Sequence, residues 1–280
     1  MKKAAILVLL SLGIISSSFA QRYEYGEPVP VKEKRGRSHG GENSGNVELK
    51  KVRFGVFIAP TFSWMKPTAN KSDDKLYNVT SDGSKTGFAW GLILDYYFAE
   101  NYGITTGFQL NYTGGKISTT LNPAVTPPQT TNIVKTTSFD YKIQYLEVPF
   151  ALKLRSDDLG GVRVFGQIGI SVGVPLSKKA SYSVEFTDTL NNQTVSKTAT
   201  GENEKLRGLG IAPVLLQMNV GGGLEYAITP KMSMYAGVFF NNGFLPDVTN
   251  PKDLDLDFKG NFSDGNIRLN NIAIRVGLFF

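Results

Sequence analysis

Residues 102–112 read YGITTGFQLNY, and the alternation in this stretch decides what kind of fold the chain can form. Tyr102, Ile104, Thr106, Phe108, Leu110 and Tyr112 share one parity, while Gly103, Thr105, Gly107, Gln109 and Asn111 share the other. Successive side chains of a strand point to opposite faces, so this is a strand with one bulky apolar face and one small polar face. The nature of the solvent on each face then fixes the class of protein.

Working outward, the same two-residue period recurs in residues 52–64, 86–98, 141–154, 162–174, 214–228, 232–241 and 267–280. With 102–112 that makes eight candidate strands, each near the length a tilted strand needs to cross a bilayer. Short connections join the second strand to the third (Ala99-Glu100-Asn101), the fourth to the fifth (156–161) and the sixth to the seventh (Thr229-Pro230-Lys231). They carry Asn, Asp, Gly and Pro where tight turns favour them. The remaining connections, 65–85, 113–138, 175–213 and 242–266, are long and rich in Thr, Asn, Ser, Asp and Pro. Strict alternation of short and long connections predicts an all-β fold: an eight-stranded antiparallel up-and-down transmembrane β-barrel with short periplasmic turns and long extracellular loops.

The two faces support that reading. Phe88, Trp90, Leu92, Leu94, Tyr96 and Phe98 oppose Gly87, Ala89, Gly91, Ile93, Asp95 and Tyr97. Leu146, Val148, Phe150, Leu152 and Leu154 oppose Tyr145, Glu147, Pro149, Ala151 and Lys153. Val164, Ile168, Ile170, Val172 and Val174 oppose Arg163, Phe165, Gln167, Gly169, Ser171 and Gly173, and the last strand sets Ile272, Ile274, Val276, Leu278 and Phe280 against Ala273, Arg275, Gly277 and Phe279. A soluble barrel would bury the bulky face and solvate the other, but the small face holds Gly where a solvated surface would carry Lys and Glu. In a bilayer the bulky face meets lipid and the small face fills a narrow lumen. Facing is not assigned for the first and seventh strands. The inward parity carries Arg53, Asp95, Glu147, Lys153, Arg163, Glu225 and Arg275, four basic and three acidic residues. Unpaired charge in a narrow lumen is costly, so these are expected to form a mutually neutralising network. Trp64, Trp90, Tyr96, Phe98, Tyr102, Tyr112 and Tyr226 are expected to form girdles at the membrane interfaces.

The amino terminus has Lys2 and Lys3, an apolar run over residues 4–15, and small residues ending at Ala20. That is the order of a secretory signal peptide, residues 1–20, cleaved after Ala20. Residues 21–51 lack a periodic apolar face and carry Pro28, Pro30, Lys32, Lys34, Arg35 and Arg37. They read as a basic periplasmic tether, disordered on composition, with docking to peptidoglycan or to a partner protein as the alternative. The barrel is then residues 52–280. Net charge is +6, with much of the excess in the leader and tether, and the chain is exported, so nucleic acid is not an expected partner. There is no Cys, which leaves no disulfides and no lipidated amino-terminal cysteine.

Residues with catalytic potential are sparse. The one histidine is His39, in the tether. Hydrolytic and acyl-transfer sites usually place a His beside Ser or Asp, so the chain is not expected to be an enzyme. Without Cys or a second His, no transition-metal site and no cofactor is expected. Asp253, Asp255 and Asp257 could touch calcium, but carboxylates at every second position also describe one exposed edge of a loop, and the Gly and closing Glu of an EF-hand are missing. Gly221-Gly222-Gly223 precedes no Gly-Lys-Ser/Thr helix start and is no phosphate loop. Asn78-Val79-Thr80 and Asn192-Gln193-Thr194 are chance glycosylation matches in Thr-rich sequence.

The carboxy terminus, Ile274-Arg275-Val276-Gly277-Leu278-Phe279-Phe280, resembles the signal by which the barrel-assembly machinery recognises outer-membrane barrels, with Gly277, Leu278 and Phe280 as its elements. Gln144-Tyr145-Leu146-Glu147-Val148-Pro149-Phe150 resembles the Tyr-Leu-Glu-(Ile/Val)-Pro-Leu segment of the PorT-type outer-membrane β-barrel family of Bacteroidetes. Gly222-Gly223-Leu224-Glu225-Tyr226 followed by Thr229-Pro230-Lys231 is similar to that family's penultimate hairpin. The resemblance covers residues 52–280. It implies an integral outer-membrane protein whose partners are outer-membrane lipid, the assembly machinery and envelope or secretion-complex proteins, since the family's namesake serves type IX secretion and gliding. The expected function is a structural or accessory envelope barrel with a side-chain-filled lumen. The alternatives are a small-solute channel and a surface-binding, adhesin-like barrel, with a membrane-embedded enzyme behind them.

Overall fold

Each segment of period two becomes a strand, and each short connection becomes a tight turn. The computed structural model describes residues 51–68, 75–126, 133–190, 193–205, 210–245, 248–249 and 267–280, all within one compact unit, Asn43–Phe280. The leader, the tether up to Lys50, His39, Asn192 and the Asp253–Asp257 run lie outside these residues. Among them the strands are, in chain order, β1 (Val52–Pro67), β2 (Tyr77–Ser81), β3 (Ser84–Ala99), β4 (Tyr102–Leu121), β5 (Val134–Arg155), β6 (Val162–Leu190), β7 (Gln193–Glu204), β8 (Gly210–Ile211), β9 (Leu215–Thr229), β10 (Met232–Gly243), β11 (Val248–Thr249) and β12 (Ile267–Phe279).

Eight of them form a closed antiparallel ring in the order β1-β3-β4-β5-β6-β9-β10-β12, with β12 returning to β1. The closing ladder runs from Gly55↔Phe279 to Pro67↔Ile267. Closure leaves no open edge around the ring, which hydrocarbon requires because it cannot hydrogen-bond a bare N–H or C=O. The turn between β5 and β6 places Gly160 and Gly161 at φ of 74° and 91°, a conformation that glycine adopts without a Cβ penalty.

One expectation needs correcting. The connections 113–138 and 175–213 are not mainly loop: β4 continues to Leu121, β5 begins at Val134, and β6 runs for 29 residues to Leu190 before turning back as β7. β2 flanks the extended part of β4. These extensions invert the polarity of the barrel strands that carry them. Outward along β5, Leu154, Leu152, Phe150, Val148 and Leu146 are followed by Gln144, Lys142, Asp140 and Ser138. Inward, Lys153, Ala151 and Glu147 give way to Tyr145, Ile143, Tyr141 and Phe139. Phe150 is thus 56% exposed, and Phe139, on the same strand, is 0% exposed. β4 and β6 switch at the same level, for Tyr112, Gln144 and Ser177 share one register row.

That shared row is a solvent boundary written into the fold. On the side toward the tight turns, the wall presents Phe54, Ile58, Leu92, Phe108, Phe150, Ile168, Leu224, Val238 and Ile274 to the outside. On the other side it presents Lys, Ser, Thr and Asp and packs its apolar residues within. From Val164 to Val174 on β6, ten residue steps at about 3.4 Å and a tilt of about 40° give a band about 26 Å tall, matching an outer-membrane apolar belt. Tyr96, Phe98, Tyr102 and Tyr226 are exposed at its turn end, and Tyr112 at its other end, where Trp64 is half-buried and stacks on Phe240 at 6.3 Å.

Candidate functional site

The lumen is where this chain concentrates its buried polar chemistry, and it is filled in layers. Nearest the tight turns, β1 supplies Arg53, β3 Asp95, β5 Lys153 and β9 Glu225, all on inward parity and all buried. Arg53 reaches across the lumen to Glu225, with Nη2 donating to Oε2 at 2.9 Å and Nη1 to Oε1, and it also donates to Asp95 at 3.2 Å. Lys153 Nζ donates to Asp95 at 2.6 Å, Thr105 to the other Asp95 oxygen at 2.7 Å, and Ser233 to Glu225 at 3.0 Å. Two cations meet two carboxylates, so this layer is neutral, and every carboxylate oxygen has a donor. That is the condition under which buried charge is tolerated.

The second layer joins Glu147 and Arg275 indirectly. Glu147 accepts from Gln109 Nε2 and from Asn111 Nδ2 (2.8 Å), and Arg275 donates to Gln109 Oε1 at 2.9 Å. The Gln109 amide thus stands between carboxylate and guanidinium, polarised at both ends. A third layer is a ladder of amides crossing four neighbouring strands. Gln167 donates to Asn219 (2.8 Å), Asn219 to Asn241, and Asn241 to Asn271 (2.7 Å). Beyond it the lumen closes with apolar residues of the extensions, among them Met65, Ile117, Phe139, Tyr141, Ile143, Leu215 and Leu269.

The expected lumen of glycine and polar side chains is incomplete in one respect, because aromatic rings occupy it too. Phe57, Phe165, Tyr235, Phe239 and Phe279 are buried inside, and the cations lie over them. Arg53 is 4.3 Å from the Phe279 centroid, Lys153 4.7 Å from both Phe165 and Phe279, and Arg275 4.4 Å from Phe239. A ring face stabilises a desolvated cation without needing a counter-charge. The inward glycines make room for these rings. A Cβ on Gly221 would lie 2.2 Å from the Phe239 ring, and one on Gly277 would lie 2.4 Å from the Tyr235 ring.

Of the seven residues singled out from sequence, Arg53, Asp95, Lys153 and Glu225 meet in one cluster, and Glu147 and Arg275 form the layer above it. Arg163 stands apart. It is opposite Glu225 in the ladder, yet it bonds Asp158 of the adjoining turn at 3.3 Å while Glu225 turns to Arg53. Sequence reasoning passed over Arg155, buried one position beyond the expected strand end on the parity of Lys153. It lies 4.0 Å over Tyr97, and its Nη2 donates to the Glu100 carbonyl at 3.3 Å. At the carboxy terminus, Gly277 faces inward, while Leu278 and Phe280 point outward, the latter tied through its N–H to the Phe54 carbonyl at 2.8 Å. Among the described residues no group of three or more His, Cys, Asp or Glu is placed to hold a metal ion.

A closed antiparallel ring with an apolar outer belt and a packed polar lumen defines a membrane-spanning β-barrel. The chain belongs to the outer membrane protein beta-barrel domain family, whose signature matches residues 19–238. It is therefore a bacterial outer-membrane barrel. No curated protein sequence matches it. Among solved structures, it is similar to Neisserial surface protein A (14% identity over 81% of this chain and 97% of that one, TM-score 0.36). It is also similar to Ail, the attachment invasion locus protein of Yersinia pestis (15%, 82% and 100%, TM-score 0.33), and to the outer membrane protein OprG from Pseudomonas aeruginosa (10%, 82% and 96%, TM-score 0.35). None of these likenesses bears on what this chain does.

Proposed function

We propose that this chain is a non-conducting outer-membrane barrel acting as a structural or accessory envelope protein. The observation that carries the reading is the lumen: a neutral ion cluster, an amide ladder and an apolar plug follow one another along its axis. An eight-stranded interior is only wide enough for side chains to fill, and here they do so, although buried polar atoms such as both amide atoms of Gln217 and the Nε of Arg53, Arg155 and Arg275 have no partner among the described residues. The β extensions, polar outside and packed inside, would stand above the membrane as a platform for an envelope partner. Within this reading residues 1–20 direct export and are removed after Ala20. Residues 21–51 serve as a periplasmic tether, and Gly277, Leu278 and Phe280 are read by the barrel-assembly machinery. The PorT-like Tyr145-Leu146-Glu147-Val148-Pro149 segment supports a role in type IX secretion or gliding.

The test is single-channel recording on the refolded, full-length barrel in planar bilayers. A flat trace under applied voltage is the expected result. Discrete, reproducible openings would overturn the closed lumen and favour a small-solute channel. Crosslinking in intact envelopes checks the accessory role, since an envelope protein should be recovered reproducibly with the barrel. Recovery of none would count against it.

A further inference from the structure

Outside the lumen, the wall forks at the level where its polarity changes. β3 pairs with β4 only from Phe88↔Tyr112 toward the turns. Above that row β3 stays with β1, and β4 takes β2 as its neighbour from Ile117 onward. The fork opens a groove of about 350 Å³ whose lining includes Lys85, Gly87, Tyr112, Lys142, Gln144 and Lys179. Its floor is backbone, because a Cβ on Gly87 would lie 2.1 Å from the Tyr112 carbonyl oxygen. Gly114, the β4 neighbour of Lys142, is equally bare, since a Cβ there would lie 1.9 Å from the Tyr141 carbonyl oxygen.

Two features of this groove call for an anion. Lys142 and Lys179 are direct cross-strand partners on the outward face, and like charges in that relation repel. Lys142 donates only to the neutral Asn203 amide, and among the described residues neither lysine has an ion-pair partner. Asp140, two residues from Lys142 on the same face of β5, is taken by Lys85. The second feature is height. Leu110, Leu146 and Val174 form the last all-apolar outward row, Tyr112, Gln144 and Ser177 the next, and Gly114, Lys142 and Lys179 the one after. The two lysines therefore stand one row, about 7 Å along the strands, beyond the boundary row, where lipid phosphates lie.

The geometry points to a binding site for a phosphorylated outer-leaflet lipid. Its phosphate sits between Lys142 and Lys179, and its acyl chains run down past Tyr112 onto Leu146 and Val174. The inference rests on the membrane placement of the belt and is independent of whether the lumen conducts.

The test uses the full-length barrel in detergent with diphosphorylated lipid A as the probe, and native mass spectrometry as the readout. Replacing both lysines, Lys142→Gln with Lys179→Gln, is expected to weaken lipid A binding at least about tenfold. Lys142→Arg with Lys179→Arg should retain it, and dephosphorylated lipid A should bind the wild-type and Gln forms alike. Lys231→Gln, at the opposite end of the barrel, should bind as the wild type does. Both lysines are exposed, and unchanged migration of the unheated Gln form verifies its fold. Equal lipid A binding by wild-type and Gln forms would overturn the site. So would full competition by millimolar inorganic phosphate, which would make it a site for a soluble anion, and so would an equal loss in Lys231→Gln, which would reduce it to net charge.

Discussion

At the scale of single residues, the lumen behaves as linked pairs and cannot be taken apart cheaply. Glu225 neutralises Arg53 from the far side of the barrel, so Glu225→Gln leaves a buried guanidinium short of one counter-charge. Unfolding followed by tryptophan fluorescence in detergent should show a loss of about 3–5 kcal/mol. Glu147→Ala strands the amides of Gln109 and Asn111 and should lower the unfolding free energy, and with it the midpoint, by about 1–3 kcal/mol in free energy. An unchanged midpoint would remove Glu147 from the network. Gly221→Ala forces a methyl into the Phe239 ring and should cost about 1–3 kcal/mol through overpacking. Arg53 lies on the first strand, whose facing the pattern left open, whereas Asp95, Glu147, Lys153 and Arg275 were legible in the sequence because parity alone assigned them. Their partners were not, since Arg53 reaches Glu225 across the lumen, where no pairing register applies, and Arg163 prefers a turn carboxylate that no periodicity flags. The aromatic interior was half legible. Phe165 and Phe279 already sat on the small face, but Tyr235 and Phe239 lie on the seventh strand, whose two faces carry similar residues.

At the scale of the element, β4, β5 and β6 each serve two solvents. Period two revealed the lipid-facing halves at once, because Leu, Val, Ile and Phe alternate there with small or polar residues. The outer halves escaped because Thr, Ser, Lys and Asp on their wet face read as loop composition, and because the apolar parity changes sides at the boundary row. An inverted pattern is still a strand pattern, since Ile117, Phe139, Tyr141, Ile143, Val184 and Phe186 all face inward. The inversion predicts a depth-dependent response to added charge. Ile170→Lys, within the belt, should cost about 2–4 kcal/mol of folding free energy in lipid vesicles. Ser183→Lys, exposed above the boundary on the same strand and same face, should change it by no more than about 0.5 kcal/mol. Equal costs at the two positions would mean that the boundary is misplaced.

At the scale of the molecule, the absence of cysteine permits a clean test of sidedness. Ser181→Cys should react with a membrane-impermeant maleimide on intact cells. Asn101→Cys, in the turn between β3 and β4, should react only after the outer membrane is permeabilised. The reverse pattern would turn the barrel over and move the lysine groove to the periplasmic leaflet. The ring itself was legible from strand count and connection lengths, and its closure followed from the intolerance of hydrocarbon for open edges. What the sequence withheld was the seam between β3 and β4, because a fork depends on which neighbour a strand keeps, and neither Gly87 nor Gly114 announces it.

The pairing of the first strand with the last carries a lesson about timing. Arg53 is made first, but its counter-ion Glu225 lies 172 residues further along the chain, and its covering ring Phe279 further still. A half-made chain can therefore neither satisfy that guanidinium nor seal its hydrogen-bonding rim. The ring becomes self-sufficient only when β12 is in place to meet β1, so strands that insert one by one would each leave a bare edge in hydrocarbon.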